Sequence, residues 1–313
     1  MRILLLNPNT IQRANWGHQL FRNEIGQQHD VTYYGKGCKY FQCTDLKAKI
    51  GKKNLLHVCK IIDTYCDEKP DILLTYDSYS NVNNPGMRGL TDIIKININV
   101  DYETNIDIQN EFFKKHRYDL IFAVVQSTLD IMKKHNVCKR LYFLPFSVDT
   151  NIYKKLDLPK EYDVCAVFTV RDGLYPNRGE IHNILNEMNI KTTTTKVAQK
   201  KLIDIINKSK IIVTSNNRFG HLSMRYTETL ACGGFLLADR PKDLDRLGFV
   251  DGKHLVIYDG LDDFKDKVTY YLKPENEKER EEIAKNGMEY VRANHSCEIR
   301  VKEMTNIIKK EFY

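Results

Sequence analysis

The chain has 313 residues, 42% of them hydrophobic and 28% charged, with a formal net charge of +7. Its length calls for two domains and its apolar content excludes wholesale disorder. No apolar run approaches the ~18 residues of a membrane span, and the positive charge is spread over both halves without a basic tail, which suits phosphorylated ligands as well as a nucleic-acid face and does not choose between them.

The opening apolar run breaks at Asn7-Pro8, too short for a signal peptide, and reads as a buried strand over 3–6. A soluble, cytoplasmic protein is expected. A helix over 16–25 and a strand over 31–34 follow, the latter closed by Gly35-Lys36-Gly37. Helical spacing over 55–65 stops before Pro70, and strands are expected at 72–75, 93–100, 121–125 and 141–144. The turn-rich stretch 145–149 reads as a crossover linker. The same pattern then restarts: a strand over 164–170, helices over 181–188 and 202–206, and a strand over 211–214. A helix beginning at 227–231 is ended by Gly233-Gly234, strands lie at 235–238 and 254–258, and helices at 264–272, 277–292 and 297–310. The threonine run 192–195 is β or loop. Strands alternating with helices imply parallel βαβ units.

The expected fold is therefore α/β, with two Rossmann-like domains, 1–148 and 149–313, whose parallel sheets face a central cleft. Ligands of such sheets bind at the strand carboxyl ends.

Cysteines stand at 38, 43, 59, 66, 138, 165, 232 and 297 with no C-x-x-C pair, so neither a zinc site nor a redox motif is expected. A reduced compartment fits, with Cys165 and Cys232 as core residues. The acid-x-acid text Asp243-Leu244-Asp245 follows Arg240-Pro241-Lys242 and reads as helix-start acids rather than metal ligands. No P-loop, hydrolase elbow or His-rich set appears. Neither a metal nor a bound cofactor is expected.

The most informative passage is Arg225-Tyr226-Thr227-Glu228-Thr229-Leu230-Ala231-Cys232-Gly233-Gly234-Phe235-Leu236-Leu237-Ala238-Asp239. A carboxylate near a helix start serves equally well as a partner for free N–H groups or as an acceptor for two ribose hydroxyls. With the blocks G-K-H-L-V-I-Y (252–258), D-D-F-x-x-K-V-x-Y-Y-L (262–272), I-A-K-N-G at 283–287, His295-Ser296 and Arg300, residues 212–300 resemble the C-terminal domain of GT-B glycosyltransferases of the group 1 type. In particular they resemble the branch typified by spore-maturation CgeB-like proteins. That resemblance implies transfer of a sugar from a nucleotide-sugar such as a UDP-sugar to a hydroxyl of a glycan, lipid or small molecule, without a tightly bound metal.

By the same likeness Glu228 holds the donor ribose. Related retaining families carry another Glu eight positions earlier, where this chain has Gly220, so that contact is missing or made elsewhere. Arg218, His221 and Arg225 reach the diphosphate and Thr227 completes the donor set; Arg225 is also placed one turn from Glu228 as an ordinary ion-pair partner. The stretch Arg171-Asp172-Gly173-Leu174-Tyr175-Pro176-Asn177-Arg178 resembles the family's post-strand loop, with Arg171 and Arg178 facing phosphate; a plain surface arginine is the alternative. In the first half, Gly17 and His18 occupy the place of a Gly-rich loop near the transferred sugar, His18 otherwise capping the helix. Asp101, just after a strand, is a base toward the acceptor hydroxyl or a turn former. Asp77, with Ser78 and Tyr79, is a weaker acceptor-side candidate, Pro145 to Asp149 matches the hinge text P-x-x-V-D, and the same likeness implies that the final helix crosses back to the N-terminal domain.

Two alternatives accompany this reading. The net charge and the Lys pairs 52–53, 114–115, 133–134 and 200–201 suit a transferase acting on DNA with a hydroxymethylated base, and the absent acid at 220 suits a non-catalytic nucleotide-sugar-binding module.

Overall fold

A computed structural model describes residues 1–6, 16–34, 57–76, 86–171, 173–194 and 199–313. The chain forms two compact units, Met1–Pro145 with Met304–Tyr313, and Phe146–Glu303.

The first unit runs β1 (Arg2–Leu6), α1 (Trp16–Gln28), β2 (Asp30–Tyr34), α2 (Val58–Tyr65), β3 (Ile72–Tyr76), β4 (Ile94–Asn99), α3 (Ile106–His116), β5 (Leu120–Ala123), α4 (Gln126–Lys134) and β6 (Leu141–Phe143). Its strands pair in the order β2-β1-β3-β4-β5-β6, all parallel. Leu4, Leu5, Leu73 and Ile96 are wholly buried, the near-continuous apolar habit of strands covered on both faces. The direction of sheet growth reverses between β1 and β3.

The helices α3 and α4 escape the sequence reading for a physical reason. Their inward faces carry Gln109, His116 and Thr128 beside Phe112, Phe113, Leu129 and Met132, and all seven are buried. Polar residues at these buried positions read as exposed ones in the sequence, although the helical period itself is kept.

The second unit runs β7 (Tyr162–Cys165), α5 (Arg178–Glu187), β8 (Thr192–Thr193), α6 (Gln199–Asn207), β9 (Ser209–Thr214), α7 (Met224–Ala231), β10 (Leu236–Asp239), β11 (Val256–Tyr258), α8 (Gly260–Leu272), α9 (Glu277–Asn294) and the start of α10 (Cys297–Phe312), whose residues from Met304 onward belong to the first unit. Its parallel order is β11-β10-β9-β7-β8. One face of the sheet shares a core with Ile181 and Leu185 of α5 and Phe264 and Val268 of α8. The helix-to-strand return after α7 uses Gly233 at φ +67, a left-handed C-terminal position that a side chain would disfavour.

Two local expectations are corrected. The strand expected over 164–170 ends at Cys165, where its pairing with the two-residue β8 stops, and Phe168 beyond it stacks on His182 with ring centroids 4.8 Å apart. The text 243–245 lies in consecutive turns rather than a helix, Asp245 pairing with Arg240 at 3.1 Å. Of the threonine run, Thr192 and Thr193 form β8; Thr195 lies outside the described residues.

Candidate functional site

In the second unit the chain leaves β7 toward β8 on one side and leaves β9 toward β10 on the other, so α5 and α7 start from either side of a switch point. The carboxyl edge there is the position where open α/β sheets take ligands. Three loops meet at it and are tied by their backbones: Arg218 N donates to Leu174 O at 2.8 Å, and Lys242 N to Gly220 O at 3.0 Å. Asp239, at the end of β10, accepts from Asn216 N at 2.8 Å and Ser215 Oγ at 3.0 Å. Burial pushes the Asp239 carboxyl above the usual range, against the pull of those donors. Tyr226, fully buried, sets its Oη 2.5 Å from Asp239 O.

Glu228 stands one turn inside α7, behind the N-cap Ser223. It is 6% exposed. Tyr153 Oη donates to its Oε1 at 2.7 Å, and Arg225 Nη1 forms an ion pair with its Oε2 at 3.2 Å. Arg225 thus takes the i,i+3 partner role that its spacing allowed. Tyr153 is missed by the sequence, which has no local signal joining residues 75 positions apart.

Arg178 departs from expectation. Instead of offering its fork outward, the guanidinium donates from Nε and Nη2 to Ser215 O at 3.1 and 2.8 Å, and from Nη1 to Thr169 O at 3.0 Å. Tyr175 covers it at 3.5 Å and Phe168 at 5.0 Å. Backbone carbonyls at the ends of two loops need these donors once water is excluded, which is why the side chain turns inward. Thr227 departs likewise: it is 1% exposed and its hydroxyl donates back to Met224 O at 3.1 Å. His221 is buried beside Asn217, with its ring stacked on Phe219.

Arg171 and Arg218 do present exposed side chains at this edge, Arg218 lying 4.8 Å over the Phe219 ring. Gly220 adopts φ +74, and a Cβ there would meet the Lys242 stem at 3.2 Å. The position without the expected acid is therefore a left-handed turn covered by an alkyl chain. Asp172 lies outside the described residues.

In the first unit Asp101 is exposed just beyond β4. Its carbonyl accepts from Thr104 Oγ1 at 2.7 Å and Gln109 Nε2 at 2.8 Å, while Gln109 Oε1 accepts from Asn99 at 2.6 Å. This buried amide pair fixes the turn that presents Asp101. Gly17 and His18 fall in the first turn of α1; the His18 side chain, Asp77, Ser78, Tyr79 and the loop 7–15 lie outside the described residues. Lys114 and Lys115 close α3, and Lys133 and Lys134 close α4. Both helix ends sit at the amino edge of the sheet, opposite Asp101. Lys52, Lys53 and the Lys200 side chain lie outside the described residues.

A cavity of about 470 Å³, lined by Cys59, Asp63, Cys66 and Asp92 among others, also lies toward that amino edge and gathers none of the expected site residues. Among the described residues no group of three His, Cys, Asp or Glu is placed to hold a metal ion, and no helix is long and apolar enough to cross a membrane.

Residues 179–306 match a family model described as glycosyl transferase-like. No curated protein matches the chain. Among solved structures, a glycosyltransferase from Rickettsia africae is 13% identical with a TM-score of 0.67 over 99% of this chain and 98% of that one. Anabaena HepE, solved in complex with UDP-glucose, is 10% identical with a TM-score of 0.67 over 99% of this chain and 100% of that one. Sucrose-phosphate synthase from Thermosynechococcus elongatus is 11% identical with a TM-score of 0.65 over 100% of this chain and 99% of that one. The chain has the α/β GT-B fold with two parallel sheets, and nearly all of the glycosyl transferase-like segment lies in its second unit.

Proposed function

We propose that this protein is a nucleotide-sugar-dependent glycosyltransferase of the CgeB-like branch, taking a UDP-type donor and a hydroxyl of a glycan, lipid or small molecule, without a tightly bound metal. Glu228 carries the reading: an acid in the family-matched segment, at the switch point of the sheet, with its oxygens oriented by a phenol and a guanidinium. Two ribose hydroxyls donating to such a carboxylate add roughly 1.5–3 kcal/mol each. That HepE was solved with UDP-glucose supports the donor class.

In this reading Phe146–Glu303 holds the donor and Met1–Pro145 presents the acceptor. The acceptor oxygen bonds to the anomeric carbon as the bond to the diphosphate oxygen breaks, and the hydroxyl proton passes to Asp101. The nucleoside diphosphate departs with the bonding electrons. Its charge is met by Arg171, Arg218 and the N–H groups opening α5, while Arg178 holds the loops in place from behind. The paired lysines of α3 and α4 stand at the far edge of the sheet from Asp101, which favours a glycan, lipid or small acceptor over duplex DNA.

Thermal-shift screening against nucleotide sugars and nucleoside diphosphates should give a shift selective for one base. Calorimetry with that ligand should show Glu228→Ala weakening affinity about tenfold or more; unchanged affinity would reject the assignment.

A further inference from the structure

The turn that carries Tyr153 is built to hold that residue still. Asp149 Oδ1 accepts from Asn151 N at 2.9 Å and from Ile152 N at 3.3 Å, and Asp149 O accepts from Tyr153 N at 2.8 Å. The preceding residue is anchored in turn: Val148 N donates to His295 O at 3.0 Å and Val148 O accepts from Cys297 N at 2.9 Å. The result drives Tyr153 to complete burial. A buried phenol needs a partner for its hydroxyl, and this one meets a carboxylate whose other oxygen faces Arg225. Burial first, and the neighbouring Glu228 second, raise the phenol's pKa well above its ordinary value, so it remains a donor at any working pH.

We propose that Tyr153 is a positioning residue for the donor, fixing the orientation of the Glu228 carboxylate so that it meets the ribose hydroxyls without reorganising. This rests on the assignment of Glu228 to the ribose. The argument is one of preorganisation. An arginine beside a carboxylate draws it round to accept both forks, and a hydroxyl pair then finds the wrong lone pairs presented. A phenol bonded to Oε1 from a braced turn opposes that rotation, and oriented groups bind and act better than free ones. The role is distinct from packing: phenylalanine fills the same volume and removes the hydrogen bond to Oε1.

The test compares UDP, ADP, GDP and CDP with their 2′,3′-dideoxy counterparts by calorimetry, in the wild type and in the Tyr153→Phe and Glu228→Gln variants. The wild type should prefer one ribonucleotide over its dideoxy form by about tenfold or more. Glu228→Gln should abolish that preference. Tyr153→Phe should lower the ribonucleotide affinity about tenfold and leave the dideoxy affinity unchanged. If Tyr153→Phe weakens both ligands equally, or neither, while Glu228→Gln behaves as stated, Tyr153 has no positioning role and the Glu228 assignment survives. If Glu228→Gln keeps the preference, or the wild type shows none, the Glu228 assignment fails and this proposal with it. Should Tyr153→Phe not fold, 3-fluorotyrosine placed at 153 retains the hydroxyl. Its ¹⁹F resonance should move on adding the preferred ribonucleotide and stay still with the dideoxy form; a resonance indifferent to both overturns the proposal.

Discussion

Arginines that look alike in the sequence divide into two kinds in the fold. Arg178 spends three of its N–H groups on the carbonyls of Ser215 and Thr169, under an aromatic lid. Arg218 reaches solvent over Phe219. The first is a clamp between loops, the second a surface cation that the proposed function assigns to phosphate. Lysine retains the charge of Arg178 but not its fork, leaving carbonyls unpaired at roughly 1–3 kcal/mol in total. Arg178→Lys should therefore lower the urea midpoint clearly, whereas Arg218→Ala should leave it in place and weaken nucleoside diphosphate binding several-fold. Equal urea midpoints for Arg178→Lys and the wild type would show that the clamp does not stabilise the unit. The sequence leaves this division unread because an arginine's partners are backbone atoms from loops that only the fold assembles.

Elements show where local pattern suffices and where it does not. The passage 225–239 is legible because helix, glycine turn and strand follow one another within it. The helices α3 and α4 are not, since Gln109, His116 and Thr128 occupy their buried faces. The brace on Glu228 arrives from a turn 75 residues away and leaves no periodic trace. Gly287, noted in the block 283–287, acquires its reason only in the packing of α9. A Cβ there would stand 2.2 Å from His254 O and 2.8 Å from Leu230 Cδ2. Alanine ordinarily favours a helix interior over glycine by about 0.5–1 kcal/mol. Here the clash with backbone forces α9 to shift, an overpacking cost of about 1–3 kcal/mol or more, and the second effect wins. Gly287→Ala should lower the urea midpoint at unchanged m-value; a raised midpoint would mean that α9 relaxes freely.

At the scale of the whole molecule, each unit buries a histidine in neutral form. In the first, His116 packs 4.6 Å from Phe112, and its Nε2 has no hydrogen-bond partner among the described residues. In the second, His295 stacks on Phe249; its Nε2 donates to Leu247 O at 3.1 Å and its Nδ1 accepts from Arg300 at 3.2 Å. Burial is the main cause in both of a pKa lowered from 6.5 to about 4. Because the folded value lies below the unfolded one, the unfolded chain binds more protons between these limits. The stabilisation from each neutral ring is complete above pH 6.5 and is lost as pH falls toward 4, at up to about 3 kcal/mol apiece. His29 and His254 shift in the same direction, while Asp239, raised by burial, opposes the trend. Asp71, Asp163 and Asp263, held below the ordinary carboxylate range, act only at more acid pH. The limb between pH 6.5 and 4 therefore belongs mainly to histidine, and it weakens both units at once. Calorimetric Tm values should fall steadily from pH 7 to pH 5, and the His116→Gln, His295→Gln double variant should show a distinctly flatter profile. A double variant with the wild-type slope would assign the acid sensitivity to other groups.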